Sequence, residues 1–399
     1  MRVCWALGVV LVWAWAGTQA QVPAQDPPLG APVLAFTNAQ HEQIFLYDLE
    51  RAELRRLSLG TGQHHVWGFS PEGCRLLVSL DAGRLGGRLF SLALDGSDLQ
   101  EVVRYAELPA SAWGVWEAAW SPNEQDSRIA FVMLREQAQR GGGVEVSRHI
   151  AYVQAEPAGW SAPQFYSVTG REMSPQWSPD GNLLAYISYD ERVAGADPLS
   201  TAMPTPSEAS AVPVNTLLEA DLWVVSADGQ TKTRLTNFSV GSVTLPRWSP
   251  EGDLLGFVYS PTPNNDLFWM IAPQQDAIPT QLSLGGVNIL DMTWAPDGAH
   301  IVGAARHLQQ ISENVLWQVP LVGYADTDAS RLYETLISAD FPRYSADAKW
   351  LAARSAYALA LYQLETGEQR LLEGEALGNS PPVWSPARYQ GEAACRQAP

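Results

Sequence analysis

Over most of its length the chain alternates between unbroken apolar runs of strand length and short polar turns. "LLAYIS", "LLGFVYS", "RIAFVM" and "RLLVSL" are such runs, rich in Leu, Ile, Val and aromatic residues. Apolar runs of this kind suit strands buried on both faces. Each follows an aromatic residue and a turn phrase, most plainly in 175–188, "PQWSPDGNLLAYIS". Ser, Pro, Asp or Glu, and Gly in that order fit the four positions of a type I turn. The phrase therefore predicts two antiparallel strands joined by a tight turn.

The phrase occurs seven times: "GFSPEG", "AWSPNE", "QWSPDG", "RWSPEG", "TWAPDG", "RYSADA" and "VWSPAR", at spacings of 40 to 71 residues. A period near 40–50 with insertions points to a propeller or a solenoid. Two further strands follow each apolar run, as in "DLWVVSADGQ" then "TKTRLTN". Their Asp-Gly and Thr-Gly pairs are hairpin signals. Each unit thus has four strands, the first ending at the aromatic residue. The chain opens with a three-strand set, "PVLAFTN", "QIFLYDL", "ELRRLSL", and closes with a lone first strand, "PPVWSP". Pairing the last strand with the first set closes a ring and removes exposed edges. The expected fold is all-β: a seven-bladed β-propeller closed by the C-terminal strand pairing with the N-terminal blade, with six blades as the alternative. The repeated aromatic, able to bury roughly 150–250 Å², is read as packing between sheets rather than as a sugar-stacking residue.

The phrase resembles the repeat of the TolB-like, WD40-like (PD40-type) propellers. The resemblance spans about 32 to 386, is cleanest at Trp177-Ser178-Pro179-Asp180-Gly181, and departs at Phe69, Asn123, Ala295, Ala346 and Ala387. It is specific for fold and weakly so for function. TolB has six blades and a preceding α/β domain, so its role does not transfer. The turns lie on one face of such a ring and the long insertions, 135–146, 189–220, 260–266 and 305–314, on the other. Loops carry function on rigid scaffolds, so binding is expected on the insertion-rich face. The longest insertion is rich in Pro, Ser and Ala and cannot fold alone. It reads as a tolerated insert, or as a lid or docking arm.

The N-terminus, "MRVCWALGVVLVWAWAGTQAQ", has one Arg, a short apolar run and a small-residue site after Ala20. That is the pattern of a secretory signal peptide, too short for a typical membrane span; an uncut anchor is the alternative. The expected organisation is a signal peptide at 1–20, a linker at 21–31, the propeller at 32–386 with an insertion loop at 191–219, and a tail at 387–399. The product would be periplasmic, cell-envelope or extracellular, with no stable membrane insertion after cleavage. A net charge of −18 with no basic run argues against nucleic acid. Export leaves Cys74 and Cys395, which the ring would put on the turn face of neighbouring blades. A disulfide between them is the expectation, with two free thiols as the alternative.

Catalytic motifs are scarce. Gly-x-Ser-x-Gly, His-Glu-x-x-His, Cys-x-x-Cys and a phosphate-binding Gly-rich loop are all missing. The candidate ligand-binding residues are His64, His65 and His307, the aromatics Trp113 and Trp116, and Arg171 with Glu172. Each has a plainer reading, as a surface histidine, a packing aromatic or an ion pair. Adjacent histidines on a strand point to opposite sides, a poor chelate, so no metal or other cofactor is expected. With regular strand parity, Trp116 would share the side of Trp120. These features together suggest an exported non-catalytic binding protein or scaffold for a protein, peptide or cell-envelope partner, with carbohydrate as a further ligand class. The alternative, suggested by propeller lyases of similar repeat type, is a metal-assisted polysaccharide lyase or hydrolase with a site at the channel mouth.

Overall fold

A computed structural model describes residues 28–38, 43–57, 59–80, 87–104, 108, 112–138, 144–157, 159–167, 170–189, 219–283, 287–307, 314–321, 330–332, 339–355, 358–372 and 381–395. The segment read as a signal peptide and nearly all of the 191–219 insertion lie outside the described residues.

The protein is all-β. Strands β1 (Val33–Thr37), β2 (Ile44–Asp48) and β3 (Glu53–Leu57) form an antiparallel meander. The next is β4 (His64–Phe69), β5 (Arg75–Leu80), β6 (Arg88–Ala93) and β7 (Leu99–Glu101). Then come β8 (Ala112–Trp120), β9 (Arg128–Ala138) and β10 (Val144–Glu156), with β11 (Gly159–Trp160) and β12 (Gln164–Phe165) both paired to β10. The pattern repeats in β13 (Glu172–Trp177), β14 (Leu183–Tyr189), β15 (Ala220–Ser226) and β16 (Lys232–Arg234). It repeats again in β17 (Ser242–Trp248), β18 (Leu255–Thr262), β19 (Asn265–Ile271) and β20 (Thr280–Gln281). Two more sets follow: β21 (Val287–Trp294), β22 (His300–His307), β23 (Val315–Pro320), β24 (Ser330–Leu332); and β25 (Ala339–Tyr344), β26 (Trp350–Ser355), β27 (Ala358–Gln363), β28 (Gln369–Leu372). The last strand, β29 (Val383–Trp384), lies antiparallel to β1, with Leu34 opposite Trp384 and Ala35 opposite Val383. A single helical turn, α1 (Glu392–Cys395), follows.

The turn phrase builds the same hydrogen-bond knot at four of its occurrences. The N–H of Gly181 donates to the Ser178 carbonyl at 2.8 Å, and Gly181 takes a φ of 72°, open to glycine without strain. Ser178 Oγ accepts from the Leu183 N–H at 2.9 Å and donates to Asp180 at 2.6 Å. Ser70, Ser249 and Ser345 accept in the same way from Arg75, Leu254 and Trp350. At the last phrase the acceptor is Ser385 and the donor is the Val33 N–H, 3.0 Å away, while Ser385 N–H donates to the Val33 carbonyl at 2.8 Å.

Alternate side chains of each strand serve different cores, which is why the runs are unbroken. Leu184 and Tyr186 pack with Val132 and Ile150 of the preceding set; Ala185 and Ile187 pack toward Phe257 and Tyr259 of the following one. Another core joins Leu34, Phe36 and Phe45 to Trp350, Leu359 and Trp384. Burying each large apolar side chain contributes about 1.5–3 kcal/mol. The aromatic-ended strands touch in succession from β4 through β25, and β29 touches both β25 and β4.

The tail is tied back. A disulfide joins Cys74 to Cys395, with Cα atoms 5.4 Å apart. Buried Glu392 accepts from the Leu29 N–H at 2.9 Å and pairs with Arg55 at 2.7 Å. Tyr389 packs so closely on Gly73 that an added Cβ would sit 2.6 Å from its own.

Candidate functional site

The repeated aromatics do more than fill cores. The indole N–H of Trp177 donates to the carbonyl of Ala119 at 3.1 Å, that of Trp248 to Gln176 at 2.9 Å, that of Trp294 to Arg247 at 2.9 Å, and that of Trp384 to Arg343 at 2.9 Å. Each acceptor is the residue just before the aromatic of the preceding set. The ladder breaks at Trp120. By the same rule it would donate to Gly68, yet its buried N–H has no acceptor. The neighbouring strand β4 skips a single residue in its register, between Val66 and Gly68, where β13 and β17 each skip two.

Around this break, at the turn end of the strands, lies a cavity of about 400 Å³. Its walls are Trp67, Phe69, Trp120, Trp177 and Trp248, with Pro122 and Pro179 from the turns. Gly68, Ala119, Gln176 and Arg247 complete the lining. Trp67 directs its N–H away, to Ser79 Oγ at 2.5 Å.

The polar groups inside the strands come from their bulges. Glu117, Ser174, Leu245 and Phe341 all sit three residues before the set's aromatic, and all have φ between 49° and 57°. That conformation strains an L residue, and it turns the following residues inward at a register shift. Arg247 and Arg343 then converge on Asp291, at 3.0 and 2.7 Å. Each arginine also donates Nη1–H to the carbonyl of its preceding proline, Pro246 or Pro342. Across the same space Glu117 accepts from the Ser174 N–H at 2.5 Å. Burial pushes the Glu117 carboxyl above its ordinary value, against the opposing pull of the Ser174 N–H, Arg247 and Arg148.

The pocket lies at the turn end, and none of the seven residues singled out on the insertion side lines it. Glu172 opens β13, fully buried, and accepts from Ser167 Oγ. Beside it, buried His149 is 2.9 Å from Ser147 Oγ. Burial lowers the His149 imidazole below its usual range, against the pull of Glu172. Ser147 and His149 stand two apart on β10 and so share a face, a signal that sequence reading missed. Arg171 forms an isolated parallel bridge with Arg148. His64 and His65 are the first two residues of β4. His64 is buried with neither ring nitrogen hydrogen-bonded, while His65 stacks on Trp67 at 5.5 Å. His307 ends β22 and Trp113 lies in β8, but the side chains of both fall outside the described residues. Trp116 does not share the side of Trp120. The bulge at Glu117 breaks strand parity, so Trp116 packs toward Tyr166 and Trp177 while Trp120 packs toward Phe131 and Val153.

No family model and no curated protein sequence matches the chain. Solved structures do. An oligogalacturonate lyase in complex with manganese is matched at 15% identity over 85% of this chain and 89% of that one, with a TM-score of 0.53. The oligogalacturonate lyase from Vibrio parahaemolyticus is matched at 12% identity over 86% of each chain, with a TM-score of 0.54. TolB from Acinetobacter baumannii is matched at 14% identity over 88% of this chain and 81% of that one, with a TM-score of 0.46. The likeness to the lyases shows the fold, a β-propeller, and TolB stands among the matches.

Proposed function

We propose that the chain is an exported, non-catalytic binding protein: a seven-bladed propeller spanning 32–386, closed by its last strand and released from a signal peptide at 1–20 into the periplasm, cell envelope or medium. The pairing of β29 with β1 and the Ser385–Val33 bonds support the closed ring. Its partner is a protein or peptide. The observation that carries the functional reading is the composition of the pocket. Aromatic residues and prolines line it together with Gly68, Ala119, Gln176 and Arg247, and among the described residues the lining contains no Ser, Cys, Lys, His, Tyr, Asp or Glu. It can hold and orient a ligand, but it offers no nucleophile and no acid or base that titrates near neutrality.

The lyase alternative draws on the fold likeness alone. Among the described residues no group of three His, Cys, Asp or Glu is arranged to hold a metal ion, so no step through a metal is derived. Likewise, no helix of the described residues is long and apolar enough to cross a membrane.

The test is recovery of a partner from envelope fractions, followed by titration of the purified partner. Saturable binding that leaves the partner's mass unchanged supports the reading. Cleavage of that partner, or of oligogalacturonate in the presence of Ca²⁺, Mn²⁺ or Zn²⁺, overturns it.

A further inference from the structure

We propose that the turn-end pocket captures the C-terminal carboxylate of a peptide whose last residue is apolar or aromatic. This rests on the reading of the chain as a binding protein and names the ligand group that its pocket selects.

Three observations carry it. The first is a guanidinium with capacity left over. Arg247 has five N–H donors; one bonds the Pro246 carbonyl and one bonds Asp291, and no other bond to the described residues is made. Its fork is already oriented by those two bonds, so little freedom is lost when a carboxylate arrives. The second is charge. Arg247 and Arg343 share the one carboxylate of Asp291, which is 3% exposed. Two cations on one anion leave local positive charge inside a chain of net charge −18. A carboxylate ligand is therefore attracted here and repelled by most of the surface. Glu117 also faces Arg247, its carboxyl raised above its ordinary value by burial, and Arg148 acts on it as a further cation.

The third is the walls. Trp67, Trp177 and Trp248 all direct their N–H groups into the protein. They offer ring surface and almost no donors. A hydroxyl-rich sugar would leave water without replacement partners, at a cost for each unpaired group. An apolar side chain gains from the same walls. Two further polar groups are uncommitted among the described residues: the side-chain amide of Gln176, whose main-chain carbonyl is taken by Trp248, and the buried Trp120 N–H. A volume of about 400 Å³ fits a chain end rather than a folded surface.

The experiment titrates the purified protein with acetyl-Ala-Ala-Phe as the free acid, with the same peptide as its C-terminal amide, and with trigalacturonate, read by tryptophan fluorescence and calorimetry. The free acid should bind saturably and the amide roughly tenfold more weakly, the loss of one charge-assisted pair. Arg247→Met should remove the difference between acid and amide. Should that variant fold poorly, Gln176→Leu, which disturbs no internal bond, should weaken the acid several-fold. Equal affinity for acid and amide overturns the proposal, as does trigalacturonate binding more tightly than the acid. Failure of all three probes also overturns it. If the partner recovered from envelope fractions then still binds, the binding reading stands without this pocket; if that partner fails as well, both fall.

Discussion

Trp248 gives its indole N–H to the main-chain carbonyl of Gln176, 2.9 Å away and 72 residues earlier. This bond crosses from one four-strand set to the next, as its counterparts at Trp177, Trp294 and Trp384 do. It explains why these positions favour Trp over Phe: the ring fills a core between strand sets and the nitrogen satisfies a main-chain carbonyl of the preceding set. Trp248→Phe should cost about 1–3 kcal/mol, because it leaves the Gln176 carbonyl unpaired. Trp120→Phe, which removes an N–H that has no acceptor, should be close to neutral or stabilising. Urea midpoints for the two variants check the contrast; equal losses would count against the ladder.

Glu117 should make the fold less stable as pH rises. Its carboxyl titrates above the ordinary 4.5 in the folded chain because it is buried. The folded state then holds the proton over a pH range in which the unfolded chain has lost it. Stability contributed by this group is full below the ordinary value and is lost as pH climbs through the raised one. Glu117→Gln, which keeps the acceptor for Ser174, should flatten that decline. Chemical unfolding at a series of pH values, read as variant minus parent, measures it.

His149 should act in the opposite sense. Burial lowers its value below 6.5, so the unfolded chain takes up a proton that the folded chain resists. Stability is full above the ordinary histidine value and falls as pH drops below it. His149→Gln, which retains a partner for Ser147, should reduce the loss between neutral and mildly acidic pH. An NMR titration of the His149 ring that showed an ordinary or raised value would contradict this.

Reduction of Cys74–Cys395 releases a loop of 321 residues in sequence separation. Loss of about 2–5 kcal/mol is expected, chiefly through the unfolded chain. The Glu392–Arg55 pair and Tyr389 remain to hold the tail. The double Cys→Ser variant should therefore stay folded at room temperature but melt earlier. Hydrogen exchange should rise first in 389–395 and in the turn at Cys74.

The turn phrase was legible in the sequence because its chemistry is local. Ser178, Asp180 and Gly181 satisfy one another within five residues, and the runs after them need only to be apolar on both sides. The pocket was not legible, because its residues are ordinary one at a time. Arg247, Asp291 and Arg343 lie 44 and 52 residues apart and read singly as strand charges. Aligning the phrases on their aromatic residue would have put Gln176, Arg247 and Arg343 in one column, each just after a proline. The bulge at Glu117 carries no glycine to announce it, so the parity of Trp116 read wrongly. The buried Ser147, His149 and Glu172 group needed strand β10 placed against β13, which no short-range pattern supplies.

The pairing of β29 with β1 sets an order of events during synthesis. A ribosome delivers Val33–Thr37 near the start and Val383–Trp384 some 350 residues later. Until then one edge of β1 has no partner and stands open to any passing strand. A transcript cut short, or a chain clipped before Val383, would keep that edge for good. Val383–Trp384 thus works as a late check on synthesis: only a chain extended past Trp384 can cover the edge of Val33–Thr37.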